Sequence, residues 1–172
     1  MLGCCKGSGN NKVTALSTHL KEKREKILEI LEQLAQESSK GIPIIVEGKN
    51  DVRALRIFPI EGKILMAKAK GKSMLDVVSE IEASRKREVI LLLDFDRRGK
   101  EWTKHLKQHL EKIRVKPNVI FWKKFLSIAG RELKDVQGLT SYLETLTKKL
   151  TLETERSVVL YYDETEKQGE HK

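Results

Sequence analysis

Apolar residues along the chain follow two patterns, short continuous runs and stripes at helical spacing. Continuous runs are typical of strands buried on both faces of a parallel sheet, and stripes with a period near 3.6 indicate amphipathic helices. The runs predict four strands, at residues 44–46, 63–69, 89–93 and 119–122. The stripes predict helices over 14–39, 50–57, 74–81 (capped by Ser73), 100–113 and the leucine-rich 139–150. This alternation predicts an α/β fold with a mainly parallel four-stranded sheet, helices on both faces and right-handed crossovers.

The composition suggests one central domain with appendages, which is a reasonable organisation for 172 residues. Gly, Ser and Asn are frequent near the start, which favours disorder there, and polar residues dominate the end. Ser157–Tyr162 is expected to form a short extra strand. The predicted segments are a disordered N-terminus at 1–13, an N-terminal helix at 14–40, the α/β domain at 41–125, a helical extension at 126–163 and a polar tail at 164–172.

Three carboxylates follow two of the predicted strands. Glu47 comes after the first strand, and Asp94 and Asp96 come after the third. Because ligands bind outside the carboxyl ends of strands in open α/β sheets, we expect these side chains at one edge of the sheet. Residues two apart in an extended chain point to the same side, and Mg²⁺ prefers oxygen ligands. The sequence therefore predicts a magnesium site, with Glu47 also a candidate general base, and with Gly48 and Gly99 allowing sharp turns and close backbone approach.

A structural interpretation of the same carboxylates is that they cap the helices that follow. Acidic residues are favoured at helix N-caps and in first turns, which suits Glu47 or Asp96 taken singly. Capping explains Asp94 less well, because that residue directly continues a buried apolar run.

Glu-Gly-x-x-Asp starting at Glu47, followed by Asp-x-Asp starting at Asp94, resembles the Toprim domain. Topoisomerases, bacterial primases, overcoming-lysogenization-defect-type nucleases and the 5S ribosomal RNA maturase share that domain. The resemblance covers about residues 41–125 and is nearest to the small stand-alone archaeal Toprim proteins. It implies a compact Rossmann-like Toprim fold that binds magnesium, with Glu47, Asp94 and Asp96 as metal-site and catalytic residues.

Positive charge is concentrated immediately after the second motif. Residues 97–124 contain ten Lys or Arg and two acidic residues, so this block carries +8 of the formal net charge of +9. A basic surface beside a metal centre favours a nucleic-acid partner and salt-dependent binding. Each lysine alone is more typical of a solvated helix face, and the asymmetry of the whole block is what favours the partner. The candidate phosphate contacts are Lys49, Arg97, Arg98 and Lys100.

Several other site classes are excluded or disfavoured. Cys4 and Cys5, the only cysteines, cannot build a disulfide framework, and no Cys/His spacing matches a zinc site. His105 and His109 lie four apart on a predicted helix, but no third ligand is evident. No apolar stretch reaches the length of a membrane span, which leaves no membrane partner and a cytoplasmic location as the default.

Gly71-Lys72-Ser73 ends like a nucleotide-binding P-loop, but Met66 stands where that motif requires glycine. A P-loop is therefore disfavoured here. Lys68 and its neighbouring lysines instead extend the predicted basic surface.

Three functions fit these features. The favoured hypothesis is a magnesium-dependent nuclease that acts on structured RNA or DNA. The second is a non-catalytic metal- and nucleic-acid-binding Toprim module within a larger assembly. A primase-like or strand-passing enzyme is the weakest, because the chain lacks a zinc-binding segment and a separate domain for a nucleophilic tyrosine. Oligomeric state is open.

Overall fold

The computed structural model describes residues 10–69 and 71–169, with side chains described for 16–69 and 71–156. Within these residues the chain alternates helices and strands in the predicted α/β order. The helices are α1 (Asn10–Ser39), α2 (Lys49–Ile57), α3 (Met74–Ala83), α4 (Arg97–Lys112), α5 (Ile120–Ala129) and α6 (Leu139–Gly169). The strands are β1 (Ile44–Val46), β2 (Ile64–Met66), β3 (Glu88–Leu92) and β4 (Lys116–Asn118).

The four strands form one parallel sheet in the order β2-β1-β3-β4. Val46 at the end of β1 is in register with Met66 of β2 and Leu92 of β3. The carboxyl ends of the three strands therefore lie side by side, and the residues that follow them share one edge. We call this the carboxyl edge of the sheet. The predicted fold class is confirmed.

One face of the sheet is covered by α3 and α4. Its core is aliphatic, and Met74, Trp102, Ile113 and Val119 pack partly buried around it. Strands covered on both faces need apolar residues at successive positions, which accounts for their continuous apolar runs. Burial of each large aliphatic side chain contributes roughly 1.5–3 kcal/mol to the stability of the fold. The buried cluster consists of Ile45, Leu65, Ala67, Val77, Val78, Ile81, Val89, Leu91, Leu93, Leu106, Leu110 and Val115. Ser73 caps α3 as predicted, accepting a hydrogen bond from Asp76 N at 3.3 Å.

Aromatic side chains fix the segment that follows β3. The buried Phe95 ring lies 6.1 Å from the Trp122 ring and 6.3 Å from the Phe125 ring, both on α5. Trp122 Nε1 also donates a hydrogen bond to Leu93 O at 3.0 Å. This packing turns Phe95 away from its neighbours Asp94 and Asp96, as the alternation of an extended chain predicts.

The fourth strand lies earlier than predicted. The strand prediction at 119–122 is wrong, because β4 is Lys116–Asn118 and α5 already begins at Ile120. Pro117 is tolerated because β4 is an edge strand, where a missing N–H costs no ladder bond. Asn118 Oδ1 accepts a hydrogen bond from Ile120 N at 3.0 Å, which helps the chain turn from strand to helix.

The ends of the chain are more helical than predicted. The extra strand predicted at Ser157–Tyr162 is wrong, since those residues continue α6. No Gly or Pro interrupts the sequence between Leu139 and Gln168. The helix that begins with the leucine stripe therefore continues through the β-branched residues Val158 and Val159. α1 begins at Asn10, so the last residues of the predicted disordered segment are helical, and residues 1–9 lie outside the described residues.

The chain divides into two compact units. One is residues 26–142 and contains the sheet; the other combines the residues up to Glu25 with those from Leu143 onward. In the second unit Arg24 Nε donates to Thr147 Oγ1 at 3.1 Å. Across the described residues, no helix combines the length and apolarity that crossing a membrane requires. The predicted segment boundaries at 41 and 125 stay a prediction.

Candidate metal centre and nucleic-acid interface

Glu47 and Asp94 come together at the carboxyl edge. Glu47 directly follows β1, and Asp94 lies two residues beyond the end of β3. β1 and β3 are neighbours with their last residues in register, so Glu47 and Asp94 leave the same edge of the sheet one residue apart in level. Both residues are half-buried, and Glu47 is close enough to raise the pKa of Asp94. The structure thus brings together two of the three carboxylates that the strand pattern predicts to converge.

This pairing makes Asp94 an unusual acid. Burial is the largest cause, followed by the hydrogen bond with Glu47 and the negative charge of Glu47, and together these raise the pKa of Asp94 to about 7. The charges of Asp51 and Asp135 add smaller contributions. Nearby negative charge favours the protonated form of Asp94 because it repels a second ionised carboxylate. A carboxyl group poised near neutral pH and available to a cation is typical of a functional site.

Two further carboxylates surround the pair without joining it. The buried Asp51 accepts hydrogen bonds from Gly48 N at 2.8 Å and from Gln137 N at 3.1 Å. Burial raises the pKa of Asp51, although both backbone bonds oppose the shift. Asp135 accepts from Gly138 N at 2.7 Å. Asp51 therefore ties the loop before α6 to the loop after β1, and both acids add negative charge around Asp94.

Asp96 has a structural role at the start of α4. It is the N-cap residue, and its Oδ1 accepts a hydrogen bond from Gly99 N at 2.7 Å. Its side chain is exposed, unlike those of Glu47 and Asp94. The capping alternative considered from the sequence thus describes Asp96 well.

Replacing Asp96 separates capping from metal binding. We expect Asp96→Ala to lower the free energy of unfolding by about 1 kcal/mol, because the Gly99 N–H loses its acceptor. Asp96→Asn keeps a side-chain oxygen and should stay within a few tenths of wild type. Urea denaturation of the two variants measures both values. Wild-type stability in Asp96→Ala contradicts the capping role, and weaker Mg²⁺ binding by Asp96→Asn identifies Asp96 as a metal ligand as well.

The two motif glycines differ in what they contribute. An ideal Cβ on Gly99 lies 2.1 Å from Asp94 O and 2.6 Å from its carbonyl carbon, so only glycine fits there. Gly48 is extended, with φ −149°, and a Cβ there meets only Asp51 Oδ2 at 4.0 Å. The expected close backbone approach therefore applies to Gly99, where α4 packs directly on the backbone of Asp94.

The side-chain ammonium of Lys68 contacts one member of this carboxylate pair. Lys68 follows β2, and its backbone N donates to Glu47 O at 2.8 Å. Its Nζ forms an ion pair with Glu47 Oε1 and lies 5.5 Å from the centroid of the Trp102 ring. Lys68 thereby links the carboxylate site to the first turns of α4.

The predicted phosphate contacts are all exposed near the carboxyl edge. Lys49 is the first residue of α2, and Arg97 and Arg98 are the first two residues of α4, with Lys100 one residue after Gly99. Arg97 Nε lies 3.4 Å from Glu101 Oε1, an exposed pair that is easily exchanged for another anion. The first turn of a helix also presents free N–H groups to anions. The four basic residues thus lie at helix starts near Glu47 and Asp94, and their contact with phosphate stays a prediction.

The donor set fits a divalent cation held by two carboxylates. In the part of the chain that the structure describes, no group of three or more His, Cys, Asp or Glu side chains is arranged to hold a metal ion. Mg²⁺ commonly takes one or two protein carboxylates and keeps several waters, and Glu47 with Asp94 meets that need. The structure does not bring the third predicted ligand, Asp96, into the same cluster.

Sequence reasoning missed two participants in this region. Asp51 was visible only as the last letter of the first motif, and it lies in the first turn of α2. Asp135 lies far from both motifs, and its local pattern indicates a turn and nothing more. Its place near Asp94 depends on the loop before α6, which pairs with the site through Phe95 N and Lys134 O at 2.8 Å.

Comparison with known proteins gives the same region of the chain a family context. The Toprim domain profile matches residues 42–128. A UPF0292 protein of Methanosarcina barkeri is 35% identical over 129 residues, which cover 75% of this chain and 88% of that protein. A UPF0292 protein of Methanocaldococcus jannaschii is 35% identical over 119 residues, 69% of this chain and 91% of that protein.

A solved structure of a protein from Aquifex aeolicus is also similar. It superimposes with a TM-score of 0.53 at 29% sequence identity, covering 63% of this chain and 94% of the Aquifex chain. The profile match includes Glu47, Asp94 and Asp96 and stops before Asp135. The loop that carries Asp135 therefore lies beyond the matched domain.

Proposed function

The chain belongs to the Toprim domain family, and on that premise we propose that it is a magnesium-dependent phosphodiester hydrolase acting on structured RNA or DNA. Membership confirms the resemblance predicted from the two motifs, including that to small stand-alone archaeal proteins. Toprim domains are metal-binding domains of nucleic-acid-processing proteins. The choice of Mg²⁺, hydrolysis and the cytoplasm is our proposal.

The observation that carries the proposal is the Glu47–Asp94 pair beside the exposed start of α4. A half-buried carboxyl group whose pKa is raised to about 7, as that of Asp94 is, is costly to a fold that does not use it, because burial of charge opposes folding. The exposed Arg97 and Arg98 stand at the adjacent helix start. Carboxylates for a cation and guanidinium groups for phosphate, side by side, are the parts that phosphoryl chemistry requires.

Each side chain has a definite task in this proposal. Glu47 and Asp94 hold the divalent cation, and Asp94 gives up its proton when it does so. The cation, when bound, supplies charge that polarises a phosphoryl oxygen and stabilises the leaving oxygen. Arg97 and Arg98 hold the flanking phosphates through charge-assisted hydrogen bonds, with Lys49 on the opposite side of the site.

A non-catalytic module that binds metal and nucleic acid is the second candidate. The observation that favours it is the position of Asp96, whose carboxylate caps α4 and leaves two protein carboxylates for a cation. Two carboxylates are enough to dock a metal-bridged phosphate backbone. The two candidates share the binding surface and differ in turnover.

A cleavage assay with matched variants separates the two candidates. Labelled RNA hairpins, tRNA-like folds, and single- and double-stranded DNA are incubated with Mg²⁺ or EDTA. We expect Mg²⁺-dependent cleavage of at least one class by wild type and a loss of at least tenfold in Asp94→Asn, because that variant cannot present two anionic ligands. Glu82→Gln is the control, since it removes one exposed carboxylate at the far end of α3.

The outcome assigns the function. Equal cleavage by wild type and Asp94→Asn contradicts the proposed site and points to a contaminating nuclease. Metal-dependent binding without cleavage of any substrate contradicts the hydrolase and favours the docking module.

A further inference from the structure

Lys68 is the cation that pairs with Glu47 in this structure. Its Nζ is paired with Glu47 Oε1, one of the two carboxylates assigned to the cation. The backbone holds it there, because Lys68 N donates to Glu47 O as β2 and β1 end together. The side chain is 32% exposed, so it is partly covered and solvent still reaches it. The location follows from strand register and does not depend on a flexible surface contact.

The surroundings explain why a cation belongs here. Three carboxylates lie close enough to Asp94 to raise its pKa by their negative charge. They are Glu47, Asp51 and Asp135. A cluster of this kind is destabilised by self-repulsion unless protons or cations offset it. Of the ion pairs seen among the described side chains, the one that reaches this cluster is Lys68–Glu47.

We propose that Lys68 is a displaceable counter-cation: it neutralises Glu47 in the metal-free protein, and a divalent cation releases it to bind a substrate phosphate. This inference rests on the proposed function, because it assumes that Glu47 and Asp94 hold the metal. A divalent cation on Glu47 repels the ammonium of Lys68 and withdraws negative charge from the carboxylate, so it weakens the ion pair. Metal binding therefore frees Lys68.

The released ammonium has a defined place to go. Its Nζ already lies 5.5 Å from the centroid of the Trp102 ring, which offers a cation–π contact. Trp102 is one helical turn after Arg98 on α4, so the two side chains share a helix stripe. A lysine moving off Glu47 toward Trp102 stays beside Arg98, where the phosphate backbone is proposed to lie. Lysine suits this role because its long stem is flexible and its ammonium is a compact charge.

Metal affinity in the absence of substrate tests the first half of the proposal. We expect Lys68→Met to bind Mn²⁺ about tenfold more tightly than wild type in a calorimetric titration at fixed pH and ionic strength, because no ammonium competes. Lys68→Arg keeps the charge and should bind close to wild type. Lys72→Met is the matched control for metal binding. Lys72 also follows β2, it pairs with Glu80, and its side chain is 23% exposed. Unchanged or weaker Mn²⁺ binding by Lys68→Met overturns the proposal. Binding by Lys68→Arg that is as tight as binding by Lys68→Met also overturns it.

Nucleic-acid binding tests the second half. With Ca²⁺ in place of Mg²⁺, Lys68→Met should bind a labelled RNA or DNA hairpin about threefold more weakly than Lys63→Met, which removes a lysine that lies before β2 and pairs with Glu80. With EDTA the two should bind equally, because Lys68 is then held on Glu47. A loss of the same size under both conditions overturns the displacement. If metal binding tightens as expected while no substrate is cleaved, the hydrolase fails and the Lys68 proposal stands; if no variant binds Mn²⁺, both fail.

Discussion

Gly99→Ala is expected to lower the free energy of unfolding by about 3 kcal/mol, the largest loss among the single changes considered. Alanine ordinarily stabilises a helix by about 1 kcal/mol relative to glycine, so the sign here is opposite to helix propensity. The reason is that the added Cβ lies 2.1 Å from Asp94 O and 2.9 Å from Asp94 Cα. Those are backbone atoms, and no side-chain rotation relieves the clash, so α4 must move away from the loop that carries Asp94.

The measurement is urea denaturation of Gly99→Ala beside Gly48→Ala. Gly48 is the matched glycine at the start of α2, with Asp51 Oδ2 at 4.0 Å as the nearest atom to an added Cβ. We expect its alanine variant to lose less than about 1 kcal/mol, the cost of a poorer N-cap residue. Comparable stability of the two variants contradicts the close packing of α4 on Asp94. Since a shift of α4 also moves Arg97 and Arg98, residual folded Gly99→Ala should bind nucleic acid more weakly.

The sequence predicted the parts of this fold that depend on local pattern. The apolar runs of β1 and β3 are buried on both faces, so apolar and polar residues do not alternate and the runs are easily identified as strands. A carboxylate directly after each run marks the carboxyl edge of the sheet. Ser73 was predictable as a cap because Asp76 stands three residues later, the capping-box spacing.

Local pattern failed where tertiary contacts decide the outcome. Val119–Trp122 has the composition of a strand, yet Phe121 and Phe125 are buried one helical turn apart, and packing against β3 favours the helix. The contact of Asp51 with Gln137 joins residues 86 apart, and no short-range pattern encodes it. Asp96 shows a third limit, because a carboxylate two residues after Asp94 satisfies both a metal motif and an N-cap, and only coordinates separate the two.

The charge on Lys68 illustrates why the candidate site was predictable only in part. From the sequence it is one lysine among three near a P-loop-like triplet, and it was placed with the basic surface. Its pairing with Glu47 depends on the register of β1 and β2, in which Val46 lies opposite Met66. A residue two positions beyond Met66 is thereby set beside the residue after Val46, which no one-dimensional spacing reveals.

Asp94→Asn is expected to stabilise the metal-free protein increasingly as the pH rises. The pKa of Asp94 is about 7 in the folded protein against 3.8 as its ordinary value, so between these limits the folded state binds more protons than the unfolded state. Stability contributed by the protonated carboxyl is full below pH 3.8 and is lost as the pH rises through about 7. Asparagine does not titrate and retains its neutral form throughout.

The size of the effect follows from the pKa shift. After allowance for solvent around a half-buried group, the stability difference between Asp94→Asn and wild type should grow by on the order of 2 kcal/mol from pH 5 to pH 8.5. Urea denaturation in EDTA at several pH values measures it, with Glu82→Gln as the control that should show a constant difference. A constant difference for Asp94→Asn contradicts the raised pKa. Adding Mg²⁺ at pH 8.5 should reverse the order, because the ionised wild-type pair gains binding free energy that the variant lacks. A site that is unstable when empty and ionised, and stable when loaded, is one whose acidic residues are retained for the cation and not for the fold.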